Sequence, residues 1–122
     1  MLTWLDLSMM SKLKIGIVGC GAIGGSLAGE IALNLRKDAV LAALFDINPE
    51  KSLFLSRRIT KSAKLCVSSL DILIKKSELV IEASSAKSAW VIARKSLSAG
   101  RNIMVMSVGG MVNHLHGLYA LA

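Results

Sequence analysis

Cysteines, aromatic residues and long apolar runs are scarce in this sequence, and each shortage excludes a class of protein. The 122 residues include two cysteines, Cys20 and Cys66. They lack the C-x-x-C spacing, so we expect neither a disulfide framework nor a metal site. We expect instead that the protein is located in the reducing cytoplasm. No apolar run approaches the roughly 18 residues that a transmembrane helix needs. Residues 1–11 contain no lysine or arginine, so the basic start of a secretory signal peptide is missing.

Acidic residues are also scarce, since eight Asp and Glu face 15 Lys and Arg, for a net charge of +7. Such an excess can indicate a nucleic-acid-binding protein. Here the basic residues are spread over several predicted helices, and aromatic residues that could stack on bases make up only 4% of the chain. We interpret the charge as a solvated surface and expect neither nucleic acid nor membrane as a partner.

Three glycines stand where a short apolar run changes into a helical pattern. The run is 13–18, the helix is predicted over 22–35, and the glycines are Gly19, Gly21 and Gly24. This G-x-G-x-x-G spacing between a strand and a helix predicts a dinucleotide-binding turn. Gly19 would permit the tight turn, Gly21 would let the backbone approach a diphosphate, and Gly24 would let the helix pack closely.

The start of that helix is predicted to bind phosphates without a basic side chain. The N–H groups of its first residues, Ala22 and Ile23 among them, have no acceptor inside a helix, and the positive end of the helix dipole lies there. No lysine or arginine occurs between Gly16 and Gly29. The main chain alone would therefore hold the diphosphate.

Asp46 ends the second predicted strand, 39–45. It lies about 20 residues beyond the third glycine, where dinucleotide-binding units carry an acidic residue. A carboxylate there accepts hydrogen bonds from the adenosine ribose and repels a 2′-phosphate, which favours NAD as the cofactor and leaves NADP open. Alternatively, Asp46 belongs to a turn in which Asn48 caps the next helix and Pro49 begins it. The two interpretations are compatible.

Short apolar runs and longer amphipathic segments alternate along the chain. The predicted strands are 13–18, 39–45, 65–67, 79–83 and 102–107, and the predicted helices are 22–35, 49–60, 70–76 and 86–98. The first helix is predicted from apolar residues at every fourth position, namely Ile23, Leu27, Ile31 and Leu35. This rhythm predicts an α/β domain over 13–110, a doubly wound parallel sheet of the Rossmann type with strand order 3-2-1-4-5. Residues 1–12 are expected to be a flexible extension and 111–122 an atypical C-terminal tail.

The carboxyl ends of the first and fourth strands would lie side by side, and ligands of such sheets bind in that crevice. The facing loops contain small and hydroxyl residues that could surround the nicotinamide ribose: Ala83, Ser84, Ser85, Ser107 and Gly109. Alternatively, the two serines after the fourth strand only cap the next helix. Glu82 either points into the crevice or, as is common at a strand end, is exposed.

No residue is predicted to be catalytic or to bind a metal. His114 and His116 would diverge on a helix, and nothing nearby in sequence completes a metal site or an acid–base pair. Cys20 lies where a helix dipole could lower the pKa of a thiol. A small side chain that the turn tolerates is the simpler interpretation.

Five blocks of sequence between residues 14 and 111 resemble the cofactor domain of L-aspartate dehydrogenases. They are IGIVGCGAIG at 15–24, FDINPEK at 45–51, VIEASS at 80–85, LSAG at 97–100 and VMSVGG at 105–110. The blocks after the fourth and fifth strands are more specific than the glycine motif, which many dehydrogenases share.

The resemblance implies an NAD(P)-dependent oxidation of L-aspartate to iminoaspartate, which gives oxaloacetate and ammonia or feeds NAD biosynthesis. It implies a small amino-acid substrate for the full-length form, and a homodimer is a further expectation. The family continues through a substrate domain that holds the catalytic histidine, whereas this chain stops at Ala122. We therefore expect a truncated chain that is inactive alone. A homoserine dehydrogenase or other Rossmann oxidoreductase, and a stand-alone nucleotide-binding module, are the alternatives.

Overall fold

The structure of the chain, a computed structural model, describes residues 12–122. The predicted flexible extension over 1–12 therefore lies, apart from Lys12, outside the described residues. The strands and helices alternate along the chain: β1 Leu13–Val18, α1 Ala22–Leu33, β2 Ala39–Phe45, α2 Pro49–Thr60, α3 Leu70–Lys76, β3 Leu79–Glu82, α4 Ala86–Ser98, β4 Asn102–Val105, a 3₁₀-helix Val108–His114 and α5 Leu115–Leu121. Within 12–122, none of these helices is long and apolar enough to cross a membrane.

The four strands form one parallel sheet in the order β2-β1-β3-β4. Successive side chains of a strand point to opposite faces, so β1 contributes to two separate apolar clusters. Ile15 and Ile17 pack with residues of α1 and α2, whereas Val18 packs with residues of α3 and α4. Helices thus cover both faces of the sheet. This confirms the predicted doubly wound α/β fold of the Rossmann type.

The predicted third strand, 65–67, is wrong as a strand. Its residues form a single parallel bridge between Cys66 and Leu44 of β2. The Leu44 N–H donates to the Leu65 carbonyl at 2.7 Å, and the Val67 N–H donates to the Leu44 carbonyl at 3.1 Å. The segment lies beside β2, as predicted, but is too short to continue the ladder. The order 3-2-1-4-5 is therefore confirmed only for its positions 2-1-4-5.

Three elements are shorter in the structure than predicted from the sequence. α1 ends at Leu33 rather than at 35, β3 at Glu82 rather than at 83, and β4 at Val105 rather than at 107. Just beyond these ends of β3 and β4 lies the Glu82 side chain. It accepts hydrogen bonds from the N–H groups of Ser84 and Ser107. The other three predicted helices begin and end where the sequence places them.

α1 packs on the sheet through its small side chains. Its buried residues are Gly24, Gly25, Ala28 and Ile31. Ile23 and Leu35, the two ends of the predicted apolar stripe, are 56% and 46% exposed. The predicted apolar stripe is therefore wrong at both ends. The face of α1 that packs on the rest of the fold is the one that carries Gly24 and Gly25, because these glycines allow a close approach there.

The predicted start of α2 is confirmed. The Asn48 side chain accepts a hydrogen bond from the Glu50 N–H at 3.1 Å, and Pro49 is the first residue of α2. Gly100 follows α4 with φ of +75°, in the left-handed region that glycine enters without strain.

The C-terminal residues fold back on α4. Leu118 of α5 is buried and packs with Ala89 and Ala93 of α4. The His114 ring stacks on Trp90, with the ring centroids 4.2 Å apart and an angle of 17° between the planes. The predicted atypical tail is thus helical and packs on the last long helix of the fold.

Candidate functional site

The loops that follow β1, β2 and β3 enclose a cleft of about 660 Å³ at the carboxyl edge of the sheet. This volume lies in the range of small-molecule and cofactor sites. Six of the predicted site residues line the cleft: Gly19, Gly21, Asp46, Ala83, Ser84 and Ser85.

The other five predicted site residues lie outside that lining. Ala22 and Ile23 are exposed at the start of α1, and Gly24 is buried beneath the turn. Ser107 is half-buried after β4, and Gly109 is exposed in the 3₁₀-helix. The structure therefore brings the first three loops directly together, while the loop after β4 is joined to them through Glu82.

Gly19 must be glycine for two independent reasons. Its φ is +100°, a backbone conformation that residues with a side chain rarely adopt. A Cβ on Gly19 would lie 2.6 Å from the Ala83 carbonyl carbon and 2.8 Å from the Ser84 nitrogen. The glycine turn after β1 and the loop after β3 are thus in direct backbone contact.

Gly24 and Gly21 have different roles. A Cβ on Gly24 would overlap the Gly19 carbonyl oxygen, so this glycine lets α1 approach the turn. Apart from its two chain neighbours, a Cβ on Gly21 would meet no atom of residues 12–122 within 4 Å, and the φ of Gly21, −80°, suits any residue. The fold itself therefore does not require a glycine at 21, and the space beside it is open to a ligand.

The N-terminus of α1 presents free donors beside that space. The N–H groups of Ala22, Ile23 and Gly24 have no acceptor within residues 12–122, as expected for the first turn of a helix. The dipole of this 12-residue helix adds partial positive charge at the same place. Open space, unpaired N–H groups and a helix N-terminus together fit a diphosphate.

Asp46 holds the glycine turn from the side of β2. Its Oδ2 accepts a hydrogen bond from the Cys20 N–H at 2.8 Å, and its Oδ1 accepts one from the Asn48 N–H at 2.8 Å. The second bond agrees with the predicted turn before α2. The first bond was not predicted. Asp46 also lines the cleft, so both interpretations from the sequence are compatible with its position.

Glu82, at the end of β3, is fully buried, so an exposed position for it is wrong. Its Oε2 accepts hydrogen bonds from the N–H and the hydroxyl of Ser84, both at 2.8 Å, and from the Ser107 hydroxyl at 3.0 Å. Its Oε1 accepts one from the Ser107 N–H at 2.9 Å. Every one of these bonds is made to a carboxylate by a neutral donor.

The ionisation of Glu82 follows from these bonds. Burial by itself raises the pKa of the carboxyl group, because a charge is less well solvated inside the protein. The hydrogen bonds from Ser107 and Ser84 outweigh that effect and hold the pKa of Glu82 below its ordinary value of 4.5. Glu82 is therefore a carboxylate at neutral pH.

The site serines do not cap α4 through hydrogen bonds. The Ser84 and Ser107 hydroxyls donate to Glu82. Ser85 occupies the N-cap position without a side-chain cap, and its hydroxyl donates to the Ser88 Oγ at 3.2 Å. The capping interpretation is therefore wrong for Ser84, and Ser85 caps by position only.

Cys20 is a buried thiol in the glycine turn. Desolvation, with smaller contributions from Asp46 and Cys66, raises its pKa to about 12. This confirms the interpretation of Cys20 as a small tolerated side chain rather than a reactive thiolate. Within 12–122, no group of three or more His, Cys, Asp or Glu side chains could hold a metal ion.

The residues that close the cleft on the side of α2, α3 and α4 were not predicted from the sequence. Lys51 and Lys87 contribute cations to its lining, and Phe45, Leu70 and Val91 contribute apolar surface. A signal existed for the two lysines, because each lies in the first turn of a helix that follows a site loop. The apolar residues carry no sequence signal that separates them from the core.

The chain is similar to one protein family and to several known proteins. The family model of the NAD-binding domain of homoserine dehydrogenase matches residues 19–122. L-aspartate dehydrogenase from Methanocaldococcus jannaschii is 43% identical over 102 residues, which cover 83% of this chain and 37% of that protein. This relative confirms the predicted resemblance to L-aspartate dehydrogenases. The chain spans little more than a third of the length of the curated relatives that it matches.

Two solved structures share the fold. UDP-N-acetylglucosamine 3-dehydrogenase from Acidithiobacillus ferrooxidans has a TM-score of 0.79 at 19% identity and covers 91% of this chain and 35% of that one. An NAD-binding protein from Listeria innocua has a TM-score of 0.77 at 20% identity, and the match covers 92% of this chain and 31% of that one.

The predicted cofactor, NAD, is the one that the family description names. The fold, the glycine turn and the family match agree, and the chain belongs to the family of NAD-binding domains of the homoserine dehydrogenase type.

Proposed function

We propose that this chain is the NAD-binding part of an L-aspartate dehydrogenase. In the proposed reaction a hydride leaves Cα of L-aspartate for NAD⁺, and the amino group loses a proton, which gives iminoaspartate and NADH. Water then hydrolyses the imine to oxaloacetate and ammonia. The 43% identity to such an enzyme supports the proposal. The substrate-binding part would lie in the length of that relative which this chain does not match.

The observation that carries the cofactor part of the proposal is the open space at Gly21 beside the unpaired N–H groups of Ala22 and Ile23. The diphosphate would lie in this space and accept hydrogen bonds from the main chain. Gly19 and Gly24 would shape the turn beneath it. When bound, the cofactor supplies the hydride acceptor.

Asp46 would accept hydrogen bonds from the adenosine ribose hydroxyls. Each of its oxygens makes one hydrogen bond within the described chain and keeps a lone pair for a ligand. Its charge disfavours a 2′-phosphate, so NAD would be preferred. Lys51 lines the same cleft and would offer a counter-charge to NADP.

Ala83, Ser84, Ser85, Ser107 and Gly109 would surround the nicotinamide ribose. The task of these loops would be to orient the cofactor and exclude water from it. We assign proton transfer to no residue within 12–122.

Binding of NADH to the chain, measured by fluorescence titration, tests the cofactor site. A valine at Gly21 would occupy the space of the diphosphate without disturbing the fold, so Gly21→Val should abolish binding. Gly29→Val makes the same change further along α1, where a Cβ also meets no described atom within 4 Å beyond the adjoining turns of the helix, and should still bind NADH. Equal titration by the wild type and both variants would overturn the placement of the diphosphate.

A homoserine dehydrogenase is a second candidate, favoured by the family model. The whole protein should reduce NAD⁺ with L-aspartate and release ammonia. Reduction with L-homoserine alone would favour the second candidate. NADH binding without turnover of either amino acid would favour a stand-alone nucleotide-binding module.

We further propose that residues 13–110 form the cofactor-binding unit and that the protein works in the reducing cytoplasm. The free thiols of Cys20 and Cys66 support this location. The whole protein would act on a small amino acid as a homodimer, which light scattering would test.

A further inference from the structure

We infer that Glu82 is a positioning residue of the cofactor site: its carboxylate joins the loops that follow β3 and β4 and fixes Ser84 beside the glycine turn. This inference rests on the proposed NAD binding, because it concerns the shape of the same site.

Donors from two separate loops converge on Glu82. Two bonds are local and come from the N–H and the hydroxyl of Ser84, both at 2.8 Å. Two more come from Ser107, 25 residues away in the sequence, at 2.9 Å and 3.0 Å. A single side chain therefore sets the spacing between the loop after β3 and the loop after β4.

The loop after β3 transmits this position to the glycine turn. The Ala83–Ser84 peptide fills the place that a Cβ of Gly19 would need, at 2.6 Å and 2.8 Å from it. The Ala83 N–H also donates to the Val18 carbonyl at 2.8 Å. Because Ser84 lines the cleft as well, a shift of Ser84 would change both the cleft and the turn.

The bonding pattern requires a carboxylate at position 82. All four surrounding groups act as donors, and within 12–122 no lysine or arginine forms an ion pair with Glu82. A glutamine would have nearly the same shape but would present an NH₂ group to some of these donors. That arrangement leaves buried donors unpaired, so the two serine loops would have to move.

A purely structural role for Glu82 can be separated from a positioning role. A structural residue stabilises the fold, and its loss leaves the affinity of the folded molecules for NADH unchanged. Two variants at the opposite end of β3 serve as controls. Ser77→Ala removes a buried hydroxyl that donates to the Leu73 carbonyl at 2.6 Å and should lower stability only. Glu78→Gln changes an exposed carboxylate that accepts from the Lys14 N–H at 3.0 Å.

The experiment combines NADH titration with urea unfolding of the full chain. Glu82→Gln should weaken NADH binding by about tenfold or more under conditions in which the unfolding curve shows a folded chain. Ser77→Ala and Glu78→Gln should bind NADH within about twofold of the wild type, because they lie far from the site. Ser107→Ala keeps the carboxylate, removes one donor and should weaken binding less than Glu82→Gln.

Each outcome decides the inference. Wild-type affinity in both Glu82→Gln and Ser107→Ala would overturn the positioning role and leave NAD binding standing. Equal weakening in Glu82→Gln and Ser77→Ala would also overturn it, because both effects would then follow from stability. If Glu82→Gln does not fold, Glu82→Asp, which keeps the carboxylate on a side chain one carbon shorter, decides in its place: weaker NADH binding by the folded variant supports the positioning role, and wild-type affinity overturns it. Failure of the wild type to bind NADH would overturn this inference together with the proposed function.

Discussion

The main-chain N–H of Cys20 donates to Oδ2 of Asp46 over 2.8 Å, and this bond ties the glycine turn to the end of the neighbouring strand β2. On the other side, the Ala83–Ser84 peptide contacts Gly19 and is held by Glu82. The turn is therefore fixed from both neighbouring strands. In each case a carboxylate accepts hydrogen bonds from neutral groups.

Asp46→Ala should weaken NAD binding more than NADP binding and should also destabilise the fold. The substitution removes the proposed ribose acceptor and leaves the N–H of the buried Cys20 without its partner, a loss of roughly 1–3 kcal/mol. Titration with both cofactors and urea unfolding measure the two effects. Asp38→Ala, at an exposed position in the turn just before β2, should change neither. An unchanged ratio of the two affinities would remove Asp46 from the ribose, and unchanged stability would contradict its role in the turn.

The same substitution should have opposite effects at two glycines. Gly19→Ala should lower the free energy of unfolding by more than about 1 kcal/mol, because of its left-handed backbone and the contact with Ala83. Gly29→Ala should raise it by about 0.5–1 kcal/mol, because Gly29 lies inside α1 and a Cβ there meets no described atom within 4 Å beyond the adjoining turns of the helix. Thermal and urea unfolding measure both. A Gly19→Ala chain as stable as the wild type would contradict the contact between the two loops.

Acid should remove the contribution of Glu82 to stability. Its pKa in the folded chain lies below the ordinary value of 4.5. The contribution is therefore fully present above pH 4.5 and is lost as the pH falls through the lower, folded value. The difference in free energy of unfolding between the wild type and Glu82→Gln should stay constant from neutral pH down to about pH 5 and then shrink. A difference that grows on acidification would contradict the hydrogen bonds assigned to the carboxylate.

Cys20 should react with thiol reagents far more slowly than Cys66. Burial raises the pKa of the Cys20 thiol to about 12, so almost none of it is thiolate at neutral pH. Cys66 is only partly buried. Mass spectrometry after a timed reaction with a maleimide measures the two rates in the folded chain, and Cys66→Ser isolates Cys20. Rapid labelling of Cys20 in that variant would contradict the buried, protonated thiol.

Features that depend on near neighbours were predicted from the sequence. Gly24 packs against Gly19 within one turn of chain, and Asn48 and Pro49 define the start of α2 through residues next to them. The four strands of the sheet and most helix ends follow from apolar runs and caps in the same way. These features are determined by residues close together in the chain, so they can be predicted from a single sequence.

Features that depend on distant residues were not predicted. The bonds of Glu82 to Ser107 and of Asp46 to Cys20 join residues 25 and 26 positions apart, and nothing in the flanking sequence indicates them. Ile23 is exposed because the contact face of α1 is set by Gly24 against the turn. The bridge at 65–67 stays short because the length of a strand depends on its partner as much as on its own residues.

The double attachment of the glycine turn means that the loop is preorganised. Its conformation is settled during folding by hydrogen bonds inside the protein, so little backbone entropy remains to be lost when a ligand arrives. A dinucleotide would then bind to a turn that is already rigid, and the loop would not have to close around its ligand.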